Sequence, residues 1–143
     1  MSQTVEQVLE TATFYTDDER YAFVKLPRGA VTAAAGVVAE ISEPFCALMV
    51  DKDEVTLMIP DAAWQDFQRR LPGAMVGNQL YRIITLDVVL EPDLVGLIAH
   101  LAQALTRASI SILPYSAFSR DHIFVAESQF QLAIDTLNNL KSQ

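Results

Sequence analysis

Five positions in the second half of the chain have types and spacing that could do chemistry: Glu91, Asp93 and Gly96 in one short stretch, Asp121 and His122 in another. A helix starting near Asp93 offers unpaired backbone N–H groups and the positive end of its dipole, which suits a carboxylate. Gly96, lacking a Cβ, lets a ligand or another backbone come close. Glu91, Asp93 or Asp121 could then hold an ammonium group, so the set fits a small molecule carrying both charges. Structural readings stand beside these. In that alternative Asp93 is only the cap of its helix, and Gly96 serves only close helix–sheet packing. His122 is either a pH-sensitive ligand contact or a half-buried strand histidine bonded to a neighbour.

Catalytic arrangements fare worse. The chain contains no GxSxG, P-loop, GxGxxG or HExxH motif. Ser116, His122 and Asp121 could compose a Ser–His–Asp set. Adjacent strand residues point to opposite faces, however, so Asp121 could not readily orient the imidazole. His100 falls on the polar face of a helix and reads as solvated. Two histidines so placed, with no Cys or His at ligand spacing, argue against a zinc site, and no cofactor is implied. Cys46 is the only cysteine, which rules out an intramolecular disulfide. It reads as a buried thiol within FCALMV, and Met49, Met58 and Met75 read as core filler.

The elements that must position these residues come from a chain of 143 residues, 51% hydrophobic and 20% charged, which is ample for a core and wrong for disorder. The net charge of -8 argues against non-specific binding of nucleic acid or of anionic membrane. MSQTVEQVLE has neither a basic region nor an apolar stretch of signal-peptide type, and no apolar run approaches a membrane span. The expected compartment is the cytoplasm.

Along the chain, the spacing of Val5, Val8, Leu9 and Ala12 predicts a helix over residues 4–13, followed by a charged turn, TDDER. YAFVKL (21–26) reads as a strand ended by Pro27. Residues 29–41 are small and Ala-rich and read as either a short helix or a loop. FCALMVDKDEVTLMIP (45–60) reads as a hairpin turning at DKDE, and Asp61 as the cap of a helix that buries Trp64, Phe67 and Leu71. LPGAMVGN (71–78) reads as a linker. YRIITLDVVL (81–90) alternates as a strand with one wholly apolar face, Ile84, Leu86, Val88 and Leu90. A helix from Asp93 to Ala108 buries Leu94, Leu97, Ile98, Leu101 and Leu105. Strands follow at 109–117 and 121–126. The last helix, 127–140, buries Phe130, Ala133, Ile134, Leu137 and Leu140.

The two halves match. VTLMIPDAAWQDF (55–67) and DHIFVAESQFQLA (121–133) both run strand, acidic helix start, then an aromatic, Trp64 or Phe130. Each half opens on a lead strand, YAFVKL or YRIITL. The order predicts an α+β fold of tandem ferredoxin-like βαββα repeats, antiparallel sheets with helices on one face. The expected boundaries are 1–72, with the leading helix, and 79–143. Strand residues 45–50 are apolar on both faces, so a second cover is expected from the other repeat or another chain.

The second half resembles the ACT domain, in LEPDLVGLIAHLAQALTRASISI, a polar hinge, DHIFV and a helix ending in AIDTL. The resemblance is close over 80–141 and looser over 20–70. It is nearest to short bacterial proteins with two ACT-like repeats and is similar to the regulatory repeats of aspartate kinases. It implies a non-enzymatic regulatory or sensor protein that binds an amino acid or similar metabolite at an inter-repeat or subunit interface, as a homo-oligomer, with a dimer expected. Carried onto this chain, the implied site takes Glu91, Asp93, Leu94, Val95 and Gly96 from the loop and helix start. Opposite them it takes Ser116, Ala117, Phe118, Asp121, His122 and Ile123. The alternative is an assembly or adaptor module that keeps the fold and binds no ligand. Convergence of Glu91, Asp93, Asp121 and His122 on one concave space separates the two.

Overall fold

The computed structural model describes residues 3–41 and 43–141. It resolves into two compact units, Asp18–Tyr81 and a second made from Met1–Asp17 with Arg82–Gln143. The leading segment therefore sorts with the C-terminal half, where the sequence had grouped it with the first repeat. The reason is apolar: Val8 and Ala12, each 1% exposed, belong to the same core as Leu101, Leu105 and Leu137.

The first unit runs β2 (Tyr21–Pro27), α2 (Val31–Glu40), β3 (Ala47–Val50), β4 (Glu54–Pro60), α3 (Asp61–Phe67) and β5 (Met75–Val76), the numbering starting from α1 (Val5–Thr11) and β1 (Thr13–Tyr15) of the other unit. β4 pairs antiparallel with β3 and along the whole of β2, and β5 adds to β2 through Val24↔Val76 and Lys25↔Met75. The Ala-rich stretch resolves as a helix, since Ala34 and Val37 bury fully under the sheet core of Val24, Leu26, Leu57 and Ile59. The β3–β4 turn is set by Asp51, whose Oδ1 accepts the amides of Asp53 (2.8 Å) and Glu54 (2.9 Å). Those bonds hold the Asp51 carboxyl below its ordinary pKa.

Several expectations change here. Asp61 is the first helical residue and Pro60 occupies the cap position, with no side-chain cap. The expected linker contains β5, and Gly73 takes a left-handed φ of 73° to make its turn. Met58 is fully buried, but Met49 and Met75 are exposed. Cys46 is only half-buried, at the margin of the core, and burial still pushes its thiol above the ordinary value. Of the doubly apolar strand, Ala47 and Leu48 are half-buried while Met49 and Val50 are exposed.

The second unit runs α1 (Val5–Thr11), β1 (Thr13–Tyr15), β6 (Tyr81–Asp87), α4 (Leu97–Arg107), β7 (Leu113–Ser116), β8 (Asp121–Ala126) and α5 (Phe130–Lys141). The strands lie in the order β1-β6-β8-β7. α1 opens with a capping box in which Thr4 and Gln7 exchange side-chain to backbone bonds. α4 and α5 cover one sheet face, burying Leu97, Leu101, Leu105, Ala133 and Leu137 against Ile84, Leu86, Ile123 and Val125. Ile98, Phe130, Ile134 and Leu140 complete that core from its margin. The other face of β6 is buried as well, with Ile83 at 2% and Thr85 at 5% exposure. α4 begins four residues later than expected, because 88–96 forms a loop that ends at Gly96 with φ 88°. Asp93 is therefore a loop residue, not a helix cap.

Each unit is thus a ferredoxin-like βαββα layer with a fourth strand added beside its lead strand, β5 in one and β1 in the other. The fold is α+β, as the repeat predicted.

Candidate functional site

The loop at 88–96 and the β7–β8 hairpin enclose a cleft of ≈ 450 Å³ in the second unit. Leu90, Glu91, Pro92, Leu94 and Gly96 line it from the loop, and Leu97, Ile98 and Ala99 from the first turn of α4. Ser116, Ala117, Phe118 and Asp121 line it from the hairpin. The walls are held by backbone bonds. The Leu90 amide donates to the Ser119 carbonyl (2.7 Å), joining loop to hairpin tip, and the Ala117 amide donates to Arg120 (2.9 Å) across the hairpin.

The start of α4 has no side-chain cap. Its early N–H groups therefore have no side-chain acceptor, at the positive end of the helix dipole. Gly96 precedes them in the left-handed region, and a Cβ added there would meet nothing within 4 Å. Its role is conformational, not close helix–sheet packing. Glu91 and Asp121 bring two carboxylates to the cleft, Ser116 adds a hydroxyl, and among the described residues no lysine or arginine lines it. The arrangement offers N–H donors at one side, carboxylate acceptors elsewhere and apolar wall between them.

Of the implied residues, Glu91, Leu94, Gly96, Ser116, Ala117, Phe118 and Asp121 come together here. Four do not line the cleft. Asp93 is exposed on the loop, and Val95 is 86% exposed. Ile123 is 3% exposed within the helix-side core. His122 points to the opposite sheet face by strand alternation, where its Nδ1 lies 2.7 Å from Thr85 Oγ1. Burial there holds the imidazole below its ordinary pKa, with Asp121 acting the other way and Arg120 reinforcing the shift. So the test of convergence divides: Glu91 and Asp121 meet, while Asp93 and His122 lie outside the cleft.

Leu90, Pro92, Leu97, Ile98 and Ala99 were not anticipated. The misplaced helix start hid the last three, which a cap search centred on Gly96 would have found. His100 is exposed, as expected. Among the described residues, no group of three His, Cys, Asp or Glu is placed to hold a metal ion, and no helix is long and apolar enough to cross a membrane.

The ACT domain family model matches residues 76–139. No curated protein matches the chain by sequence. Among solved structures, the chain is similar to a protein of unknown function from Vibrio cholerae, described as a possible transport protein. That likeness has TM-score 0.74 and 27% identity over 97% of this chain and 96% of the other. It is also similar in fold to the regulatory subunit of aspartate kinase from Thermus thermophilus, solved ligand-free. There the TM-score is 0.65 at 11% identity, covering 92% of this chain and 97% of that one. The aspartate kinase of Clostridium acetobutylicum, described as an allosteric enzyme, matches with TM-score 0.67 and 12% identity over 90% of this chain and 34% of its own.

Proposed function

We propose, from the match of residues 76–139 to the ACT domain family model, that the chain is a non-enzymatic regulatory protein that binds an amino acid or similar small metabolite in the cleft of the second unit. The observation that carries the reading is the meeting of the Glu91 and Asp121 carboxylates with the uncapped start of α4 in one cleft. In this reading the ligand carboxylate lies against the first-turn N–H groups of α4. Asp121, with Glu91 near it, takes the α-ammonium, and Ser116 adds a hydroxyl contact. Leu90, Leu94 and Phe118 form the apolar wall.

Phe118 is 95% exposed and Val95 86% exposed. In this reading a second copy of the chain covers them, so the ligand sits at a subunit interface and its binding shifts an oligomer or partner equilibrium. The same exposed side chains favour the second reading, an assembly module without a ligand.

The test is a thermal-shift series of the purified chain against the common amino acids singly at millimolar concentration. An amino acid at one hundred times its Kd adds about 2.7 kcal/mol of stability. A clear hit lost in Asp121→Ala supports the proposal, and a flat series in the intact chain moves the reading to the assembly module.

A further inference from the structure

The loop that forms one wall of the cleft is held from far away in sequence. Gln3 makes three hydrogen bonds to it. Its backbone amide donates to Glu91 Oε2 (3.1 Å), its side-chain Oε1 accepts the Glu91 amide (2.8 Å), and its Nε2 donates to the Val89 carbonyl (3.0 Å). Gln3 therefore satisfies both the backbone and the side chain of the one loop residue that supplies a carboxylate to the cleft.

The brace is anchored at its other end. Gln3 directly precedes Thr4, the N-cap of α1, whose backbone is fixed by the reciprocal Thr4–Gln7 bonds. α1 is in turn fixed by Val8 and, just beyond its end, Ala12, both buried in the core beneath α4 and α5. The route from cleft to core is continuous: Glu91, Gln3, the cap of α1, then Val8. Within the loop, Leu94 donates to Glu91 O (3.1 Å) and Leu90 to Ser119 O (2.7 Å), so Glu91 is the residue whose own amide depends on Gln3.

We infer that Gln3 is a positioning residue for the cleft: through its side chain it holds the backbone of Val89 and Glu91 and so couples the 88–96 loop to α1. This rests on the proposed ligand site for its purpose, but the brace can be tested apart from it. A ligand that uses the braced loop stabilises α1, and loosening the brace weakens that ligand, since the coupling is reciprocal.

The experiment compares the full chain with Gln3→Ala and with Gln3→Met, which keeps the length of the side chain but not its polar ends. Amide hydrogen exchange is read at Glu91, Leu90 and Leu94 without ligand. The same amino-acid series is then titrated by thermal shift. The expected result in both variants is exchange at Glu91 faster by about tenfold, with the Leu90 amide less affected. An amino acid that binds the intact chain should lose affinity by about fivefold. Unchanged exchange at Glu91 overturns the brace. Faster exchange with unchanged affinity overturns its role in positioning. If no amino acid binds the intact chain, the ligand reading falls, and exchange at Glu91 still decides whether Gln3 holds the loop.

Discussion

The two units share a fold and differ at one connection. In the first, β2 passes through a single 3₁₀ turn, Arg28–Ala30, directly into α2. In the second, residues 88–96 intervene between β6 and α4. Each connection is tied to the tip of its own hairpin, by different chemistry. Arg28 Nε donates to the Asp51 carbonyl (2.7 Å) in the first unit, and the Leu90 amide to the Ser119 carbonyl (2.7 Å) in the second. The short connection adds no loop beside the hairpin, and its polar side chain is a cation. The long one opens a cleft whose charged side chains are acids. The proposed site is thus set apart by loop length and charge at one place, with the sheet and its helices left alone.

Substitutions can break or sharpen that contrast. The largest effect belongs to the cores, which the units share in kind. Leu57→Ala and Leu105→Ala each remove a fully buried side chain and should each cost about 2–5 kcal/mol in denaturant unfolding. Equal losses would show that the units differ at the site and not in their frames. Next comes Asp121→Ala. It should abolish the gain of about 2.7 kcal/mol expected at a hundredfold excess of a bound amino acid over its Kd, with little change in the ligand-free melting temperature. Retention of the gain would remove Asp121 from the site.

Glycine substitutions give a smaller but sharper comparison. Gly96→Ala forces a Cβ into the left-handed region, at about 1–2 kcal/mol. Gly29→Ala, at the corresponding connection of the first unit, meets open space without a positive φ. It should leave the melting temperature unchanged. Equal effects of the two would mean that the loop of the second unit has no special backbone demand.

The smallest effect is a pH dependence. Burial, reinforced by Arg120 and opposed by Asp121, holds folded His122 below the 6.5 of the free group. The unfolded chain therefore takes up the proton first. The stability this contributes is whole above pH 6.5 and drains away as the pH falls through 6.5 toward the folded value. Thr85 on β6 and Tyr115 on β7 are the groups set beside the ring. His122→Asn should flatten the melting temperature between pH 7.5 and 5.5 relative to the parent chain. An unaltered slope would place the proton uptake elsewhere.

Much of this was legible in the residues. The 45–60 hairpin, the 121–126 strand and the burial of Leu97, Leu101 and Leu105 follow from apolar periodicity, because long periodic segments keep their faces in the folded state. The strands at 13–15 and 75–76 did not show. They are two or three residues long and become strands only through the partner they pair with. The helix start was misread because Leu94 and Val95 prolong the apolar pattern through a loop. Gly96, with its positive φ, is the true boundary. The cleft lining is legible in part: Glu91 and Asp121 follow from the resemblance, while the strand alternation that rejects a His122–Asp121 pair also turns His122 away from the cleft. The Gln3–Glu91 contact, 88 residues apart, leaves no local pattern to find.

The fourth strand of the second unit comes from the start of the chain, and Lys141 near its other end bonds back to the Ala12 carbonyl. Synthesis therefore meets the two units in a fixed order. Asp18–Tyr81 is contiguous and has all its strands once residue 81 has emerged. α1 and β1, made first, wait without a sheet until β6 follows, and their core closes only when α5 is complete. The unit with the cleft therefore closes after the first unit has all its strands, so a product cut short before α5 would hold every strand of the first unit and an open core in the second.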